Sequence, residues 1–236
     1  MSRDFNGTTS VLNCGNQADV QNLAALSAVL WIDPDSAGET DNGRIFGKRG
    51  SSAGSSGWGL QFAGAGRNVS FIVDCDTVDL IQETADTIPT NTWSCLGVTW
   101  DGSTTAANVH IYINGVEATY QATTDGLVLR SDDSANPITI GNSTNATRTV
   151  DGQIAQVQLF NTVLTREEVQ QAMVYPGSVQ RGLLRYWSLG GDGSPEPNYT
   201  VAGSGATITT AGAPNDNNPP INGMFVVPRP IGASAC

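Results

Sequence analysis

Few side chains in this 236-residue chain could do chemistry, and their spacing argues against catalysis. Two carboxylates at alternate positions of one strand could act as acid and nucleophile on a glycosidic bond. The six glutamates, Glu39, Glu83, Glu117, Glu167, Glu168 and Glu196, form no such array. Glu39-Thr40-Asp41 comes nearest, and it lies in a polar turn. A serine or cysteine nucleophile ordinarily needs a histidine base. His110 is the one histidine, and strand alternation sets it on the outward side, opposite in facing to Ile111. A non-enzyme is expected.

Binding chemistry has more to work with. Trp58 follows a Gly/Ser-rich stretch and offers a stacking platform for a sugar, although packing in the core is the favoured reading of it. Tyr112 and Asn114, at the end of a strand and its turn, complete the candidate ligand set. Calcium takes several oxygen ligands, and Asp101, Asp125, Asp132, Asp133 and Asp151 all stand at turns, with Asp101 and Asp151 the preferred pair. Turn aspartates mostly bond their own backbone, so no cofactor is required and calcium is an optional one. Zinc is disfavoured, because Cys14, Cys75, Cys95 and Cys236 contain no CxxC pair. Cys75 and Cys95 could bridge two strands or remain free buried thiols, the latter being favoured. Cys236, at the terminus, points to a contact between subunits, together with the apolar Met224, Phe225 and Val226.

Charge narrows the partners. With 22 acidic and 11 basic residues, and Lys48 as the single lysine, the formal charge is −11. A phosphate backbone is repelled by such a chain, so nucleic acid is not expected. No run reaches the ~18 apolar residues of a transmembrane helix, so no membrane partner is expected either. Met1-Ser2-Arg3-Asp4 leads straight into strand-like sequence without the apolar stretch of a secretory signal. The expectation is cytoplasmic synthesis and then residence on a virion surface, with an extracellular location as the alternative. Five Asn-x-Ser/Thr sequons, at Asn6, Asn68, Asn142, Asn145 and Asn198, read as incidental to the composition.

These residues must be positioned by strands. Short apolar runs separated by Gly, Asn and Asp turns predict strands over Asp4–Cys14, Ala25–Ile32, Gly43–Gly47, Trp58–Phe62, Val69–Asp74, Asp79–Gln82 and Trp93–Trp100. Val109–Ile113, Val116–Gln121, Ile138–Gly141, Gln153–Phe160 and Leu183–Leu189 follow, with a weak strand within Val201–Thr210. Asn114-Gly115 predicts a two-residue type I′ hairpin, since both positions need positive φ. Thr165-Arg166-Glu167-Glu168 has the spacing of a capping box and opens a short helix through Val174, which closes before Pro176. Ile154 is out of step with Val157 and Leu159 if all three are core, which predicts a bulge between them. The apolar, proline-punctuated Ile221–Pro230 makes a poor helix or central strand and suits an extended arm, lying on its own domain or on a neighbour.

Three segments carry a family resemblance. Phe5-Asn6-Gly7-Thr8 resembles an opening strand, Trp93–Ser103 with Ile111–Gly115 resembles a central strand pair, and Asp151–Asn161 with Leu164–Val169 resembles a late strand and capping helix. Leu184–Leu189 is similar to a strand that often accompanies them. In this order they resemble the laminin G-like jelly-roll domains of the concanavalin A-like superfamily. That resemblance implies an all-β, two-sheet antiparallel sandwich over 1–190, followed by a Gly/Pro/Asn-rich extension over 191–236. It also implies carbohydrate or protein ligands at a rim or on a concave face, often beside calcium. The late strand departs from the family pattern, carrying Ala155 and Gln156 where an Asp-Glu pair is usual. That loss lowers the expectation of calcium. The reading favoured from sequence is a virion decoration or appendage protein, of the kind found in tailed phages. Its partners are other copies of itself or a capsid or tail protein. The alternative is a free lectin that binds cell-surface glycans.

Overall fold

The computed structural model describes residues 2–50, 56–190, 197–200, 207–210, 214, 215 and 217–221. In chain order the strands are β1 (Ser2–Asn6), β2 (Val11–Asn13), β3 (Leu26–Pro34), β4 (Arg44–Gly47), β5 (Trp58–Ala63), β6 (Asn68–Val73), β7 (Leu80–Thr87) and β8 (Ser94–Trp100). After them come β9 (Val109–Ile113), β10 (Val116–Glu117), β11 (Tyr120–Thr124), β12 (Thr139–Ile140), β13 (Asp151–Phe160), helix α1 (Arg166–Val174), β14 (Leu183–Trp187), β15 (Thr207–Thr210) and β16 (Pro214–Asn215). They form two antiparallel sheets. The first runs β10-β9-β8-β3-β13-β1-β16, with β14 also on β13, and the second runs β11-β7-β6-β5-β4-β12-β2-β15. The chain is thus the all-β jelly-roll sandwich expected.

Alternation builds the core between the sheets. Trp58, Leu60 and Phe62 of β5 meet Val69, Phe71 and Val73 of β6 and, from the opposite sheet, Leu96, Val98 and Trp100 of β8. Phe46 stands edge-on to Trp58 at 5.4 Å and to Trp187 at 6.3 Å, so the aromatic rings tie both sheets together.

Two expected strands are divided. Asp4–Cys14 contains a turn at Gly7 (φ 70°), where Asn6 Oδ1 accepts from the backbone N–H groups of Thr8, Thr9 and Ser10. This places β1 in the first sheet and β2 in the second. Val116–Gln121 is split likewise: Val116 pairs with Ile113, whereas Tyr120–Thr124 pairs with β7. Local pattern cannot see such sheet changes, because both halves alternate equally well.

The hairpin at Asn114 (φ 52°) and Gly115 (φ 76°) is as expected, and so is the capping box, in which the Thr165 and Glu168 side chains each accept from the other's backbone. The bulge in β13 is present too. Gln156 takes φ 56°, the pairing with β3 slips between Ala155 and Gln158, and Ile154, Val157 and Leu159 all reach the core.

Helix α1 covers the outer side of the first sheet. Val169 and Ala172 pack with Val29, Trp31, Cys95, Tyr112, Ala155 and Phe160 in a second apolar cluster. The close approach depends on Gly97, where an added Cβ would stand 2.6 Å from Val169 Cγ1. Cys14, Cys75 and Cys95 are free and buried. Cys75 faces the central core and Cys95 the helix side, so no bridge joins them, and the open question of a disulfide resolves to free thiols. No helix among the described residues is long and apolar enough to cross a membrane.

Candidate ligand-binding face

The outward side of the second sheet is built differently. No helix packs on it among the described residues, and its register brings polar side chains into line. Arg44 pairs with Gln61, Gln61 with Ser70, Ser70 with Glu83 and Glu83 with Ala122, one position on each of five adjacent strands. Three strand spacings separate Arg44 from Glu83, about 14 Å. The next row outward is Thr139–Gly47–Gly59–Ile72–Ile81–Thr124. On β5 and β6 the members of the first row alternate with residues that enter the core, Gln61 between Leu60 and Phe62, and Ser70 between Val69 and Phe71.

One of the two glycines makes room for an arginine. Arg44 lies over Gly59, where a Cβ would meet Nη1 at 2.9 Å and Cδ at 3.1 Å. Its Nη1 donates to the Arg49 carbonyl at 3.1 Å, while Nε has no partner. Burial first, and repulsion from Arg49 next, bring the Arg44 pKa down to about 9, with Asp74 opposing. Ser70 Oγ is buried and also without a partner. Arg49 is engaged, with Nε donating to Asp74 Oδ1 at 2.6 Å and Nη2 to Asp79 Oδ2 at 3.2 Å. Burial pushes Asp74 up to about 6 despite that contact. Glu83 accepts from the Gln121 amide at 2.6 Å, and Ile72 and Ile81 stay half-buried beside it.

This arrangement suits a ligand with many hydroxyls and apolar edges. It offers guanidinium, amide and hydroxyl donors, carboxylate and amide acceptors, and a short aliphatic step.

Several residues proposed from sequence lie elsewhere. Trp58 is fully buried against Phe46 and Phe71, so it is a core residue and not a platform. Tyr112 is buried beneath α1, because α1 covers the face it occupies. Asn114 is exposed, but its Oδ1 accepts from the Cys95 N–H at 2.8 Å and its conformation serves the hairpin. His110 is a satisfied surface residue, with Nδ1 2.7 Å from Glu117 Oε1.

The aspartates are also occupied locally. Asp101 accepts from Ser103 and Asn108, Asp125 from the Ala106 N–H, and Asp132 from Ser134 and Asn22. Asp133 lies beside the buried Lys48 ammonium, and Asp151 accepts from Ser36 Oγ at 2.7 Å. Asp101 follows β8 where it meets Leu26, whereas Asp151 lies beside the far end of β3 at Pro34. Eight residue steps of strand, about 26 Å, keep the two from sharing one cation. Among the described residues, no group of three or more His, Cys, Asp or Glu could hold a metal ion. Met224, Phe225, Val226 and Cys236 lie outside the described residues.

Sequence reasoning missed Arg44, Gln61 and Ser70. The available signal was a lone polar residue flanked by apolar ones, which marks outward positions without showing that they line up.

A family model described as the concanavalin A-like lectin/glucanases superfamily matches residues 6–170. Among solved structures, the chain is similar to a candidate carbohydrate-binding protein from Bacteroides ovatus, with a TM-score of 0.66 and 16% identity. That match covers 94% of this chain, which spans only 61% of the Bacteroides protein. Domain 4 of an extracellular arabinanase from Geobacillus stearothermophilus, solved with arabinotriose, gives 0.52 and 19%, covering 72% of this chain and 75% of that one. A heptameric pentraxin from Limulus polyphemus gives 0.50 and 12%, covering 89% and 97%. No curated protein sequence matches the chain.

Proposed function

The chain belongs to the concanavalin A-like lectin/glucanases superfamily, and from that premise we propose that it is a non-enzymatic carbohydrate-binding protein whose ligand lies on the outward face of the second sheet. One observation carries the reading: Arg44, Gln61, Ser70 and Glu83 stand in register on adjacent strands, beside Ile72 and Ile81, with no α-helix over them among the described residues. A protein interior does not spend buried, unpartnered hydrogen-bonding groups without cause. Sugar hydroxyls would satisfy the Arg44 and Ser70 groups, while the isoleucines would take the apolar side of a ring. The arabinotriose held by the domain from Geobacillus stearothermophilus supports a short oligosaccharide as the ligand class.

The test is a glycan array followed by calorimetry on Gln61→Ala. Gln61 points away from the apolar core but is buried, so the variant should lose no more than roughly 1–2 kcal/mol of stability and at least fivefold in affinity. Unchanged affinity for every sugar bound would move the site elsewhere. Calcium is an accessory in this reading, and titration of demetallated protein checks it.

A narrower version sets the domain on a virion surface after cytoplasmic synthesis, beside other copies or a capsid or tail protein. It is supported by the apolar sequence of Ile221–Pro230 alone. Purified protein that stays monomeric, from a gene remote from virion genes, would remove it.

A further inference from the structure

The polar row has an uncompensated positive end. Arg44 is 1% exposed, uses Nη1 for one backbone carbonyl, and has no carboxylate partner. Its backbone N–H donates to the Arg148 carbonyl at 2.7 Å, and the Arg148 guanidinium is close enough to repel it. Arg148 is half-buried, and its side chain makes no hydrogen bond or ion pair among the described residues. Lys48 pairs with Asp133, Arg49 with Asp74 and Asp79, Arg181 with Glu168, and Arg185 with Asp19, whereas Arg67, Arg130 and Arg166 donate to backbone carbonyls. Arg44 differs from these in being buried without a carboxylate pair and with its Nε unpartnered, and Arg148 stands beside it, in a chain of formal charge −11.

A buried charge without a partner is costly, and the neighbouring groups are placed to share an anion. Arg44 Nε and Ser70 Oγ are both buried and unpartnered, with Gln61 between them on the same row. Asp74 also faces Arg44; its Oδ1 is held by Arg49 and its Oδ2 is buried without a partner, so it offsets part of the field without filling the fork. Glu83 lies at the far end of the row, about 14 Å away, and would repel an anion placed there. The polarity along the row runs from positive at β4 to negative at β7.

We propose that the β4 end of this face recognises the acidic group of a sugar, a carboxylate or a sulfate, held by the Arg44 and Arg148 guanidinium groups with Ser70 Oγ as a further donor. A planar guanidinium pairs bidentately with either group. The sugar's neutral hydroxyls then extend along Gln61 toward Glu83. The inference rests on the carbohydrate-binding reading and sharpens it to acidic glycans.

The experiment uses the full chain and three probes of equal length: trigalacturonate, sulfated galactotriose and neutral galactotriose, each titrated calorimetrically. At least one acidic probe should bind ten times more tightly than the neutral one, and the tighter acidic probe identifies the anion. Arg148→Ala should cut that binding at least fivefold without changing the melting temperature. Arg44→Lys, which keeps the charge and loses the fork, should do the same, and Arg148→Ala decides the matter if Arg44→Lys fails to fold. Equal affinity for all three probes would overturn the acidic preference while leaving carbohydrate binding intact. Acidic binding untouched by Arg148→Ala would overturn the site. No binding by any probe, with a blank glycan array, would remove both readings.

Discussion

The two sheets share one core and differ on their outer sides. On the first sheet the outward positions carry Val29, Trp31, Cys95, Gly97 and Ala155, and α1 lies over them. On the second they carry Arg44, Gln61, Ser70 and Glu83, and no α-helix among the described residues covers them. Inward alternation is equally good in both, so it holds the sandwich together and says nothing about use. The outward residues decide whether a sheet carries an apolar packed layer or a row of polar groups, as Arg44, Gln61 and Ser70 form here. Buried polarity is tolerable only where a partner satisfies it.

The sharpest way to break this comparison is Trp58→Ala. As a core residue of the second sheet it should lose about 3–5 kcal/mol on thermal or urea unfolding. A normal melt with lost sugar binding would instead restore it as a platform. Next, Gly97→Ala should destabilise by roughly 1–3 kcal/mol, because its Cβ would stand 2.6 Å from Val169 Cγ1. No change in the melt would mean that α1 does not depend on this contact. On the second sheet Gln61→Ala should act chiefly on binding, with a smaller loss of stability than Trp58→Ala, the opposite signature.

The smallest effect is in pH. Burial raises the Asp74 pKa from 3.8 to about 6, so the folded state holds this proton more tightly than the unfolded chain. Its contribution to stability is full below 3.8 and is lost as pH rises through about 6. Asp74→Asn should therefore flatten the change in unfolding free energy across that window. A parent and variant with parallel pH profiles would contradict the burial of this carboxyl.

Much of the fold was legible because it is local. The Asn114-Gly115 turn, the Thr165/Glu168 box and the out-of-step Ile154 each announce themselves within a few residues, and each is where the sequence puts it. The divided strands were not legible, since Asn6 and Val116 carry no mark of which sheet the next residues will join. The candidate site was less legible still. Trp58 drew attention by its type and its glycine neighbours, yet those glycines serve different ends: Gly59 accommodates Arg44, and Gly57 takes φ 108° beside the Lys48 carbonyl.

By itself the sequence determined an antiparallel sandwich without the spacing of catalytic groups, because periodicity, turn chemistry and capping act over a few bonds. Only the tertiary structure decided which outward residues stand together. Arg44, Gln61, Ser70 and Glu83 are spread over 40 positions, and the pairing of four strands brings them into one row. Register is a property of strand pairs, and no single strand contains it.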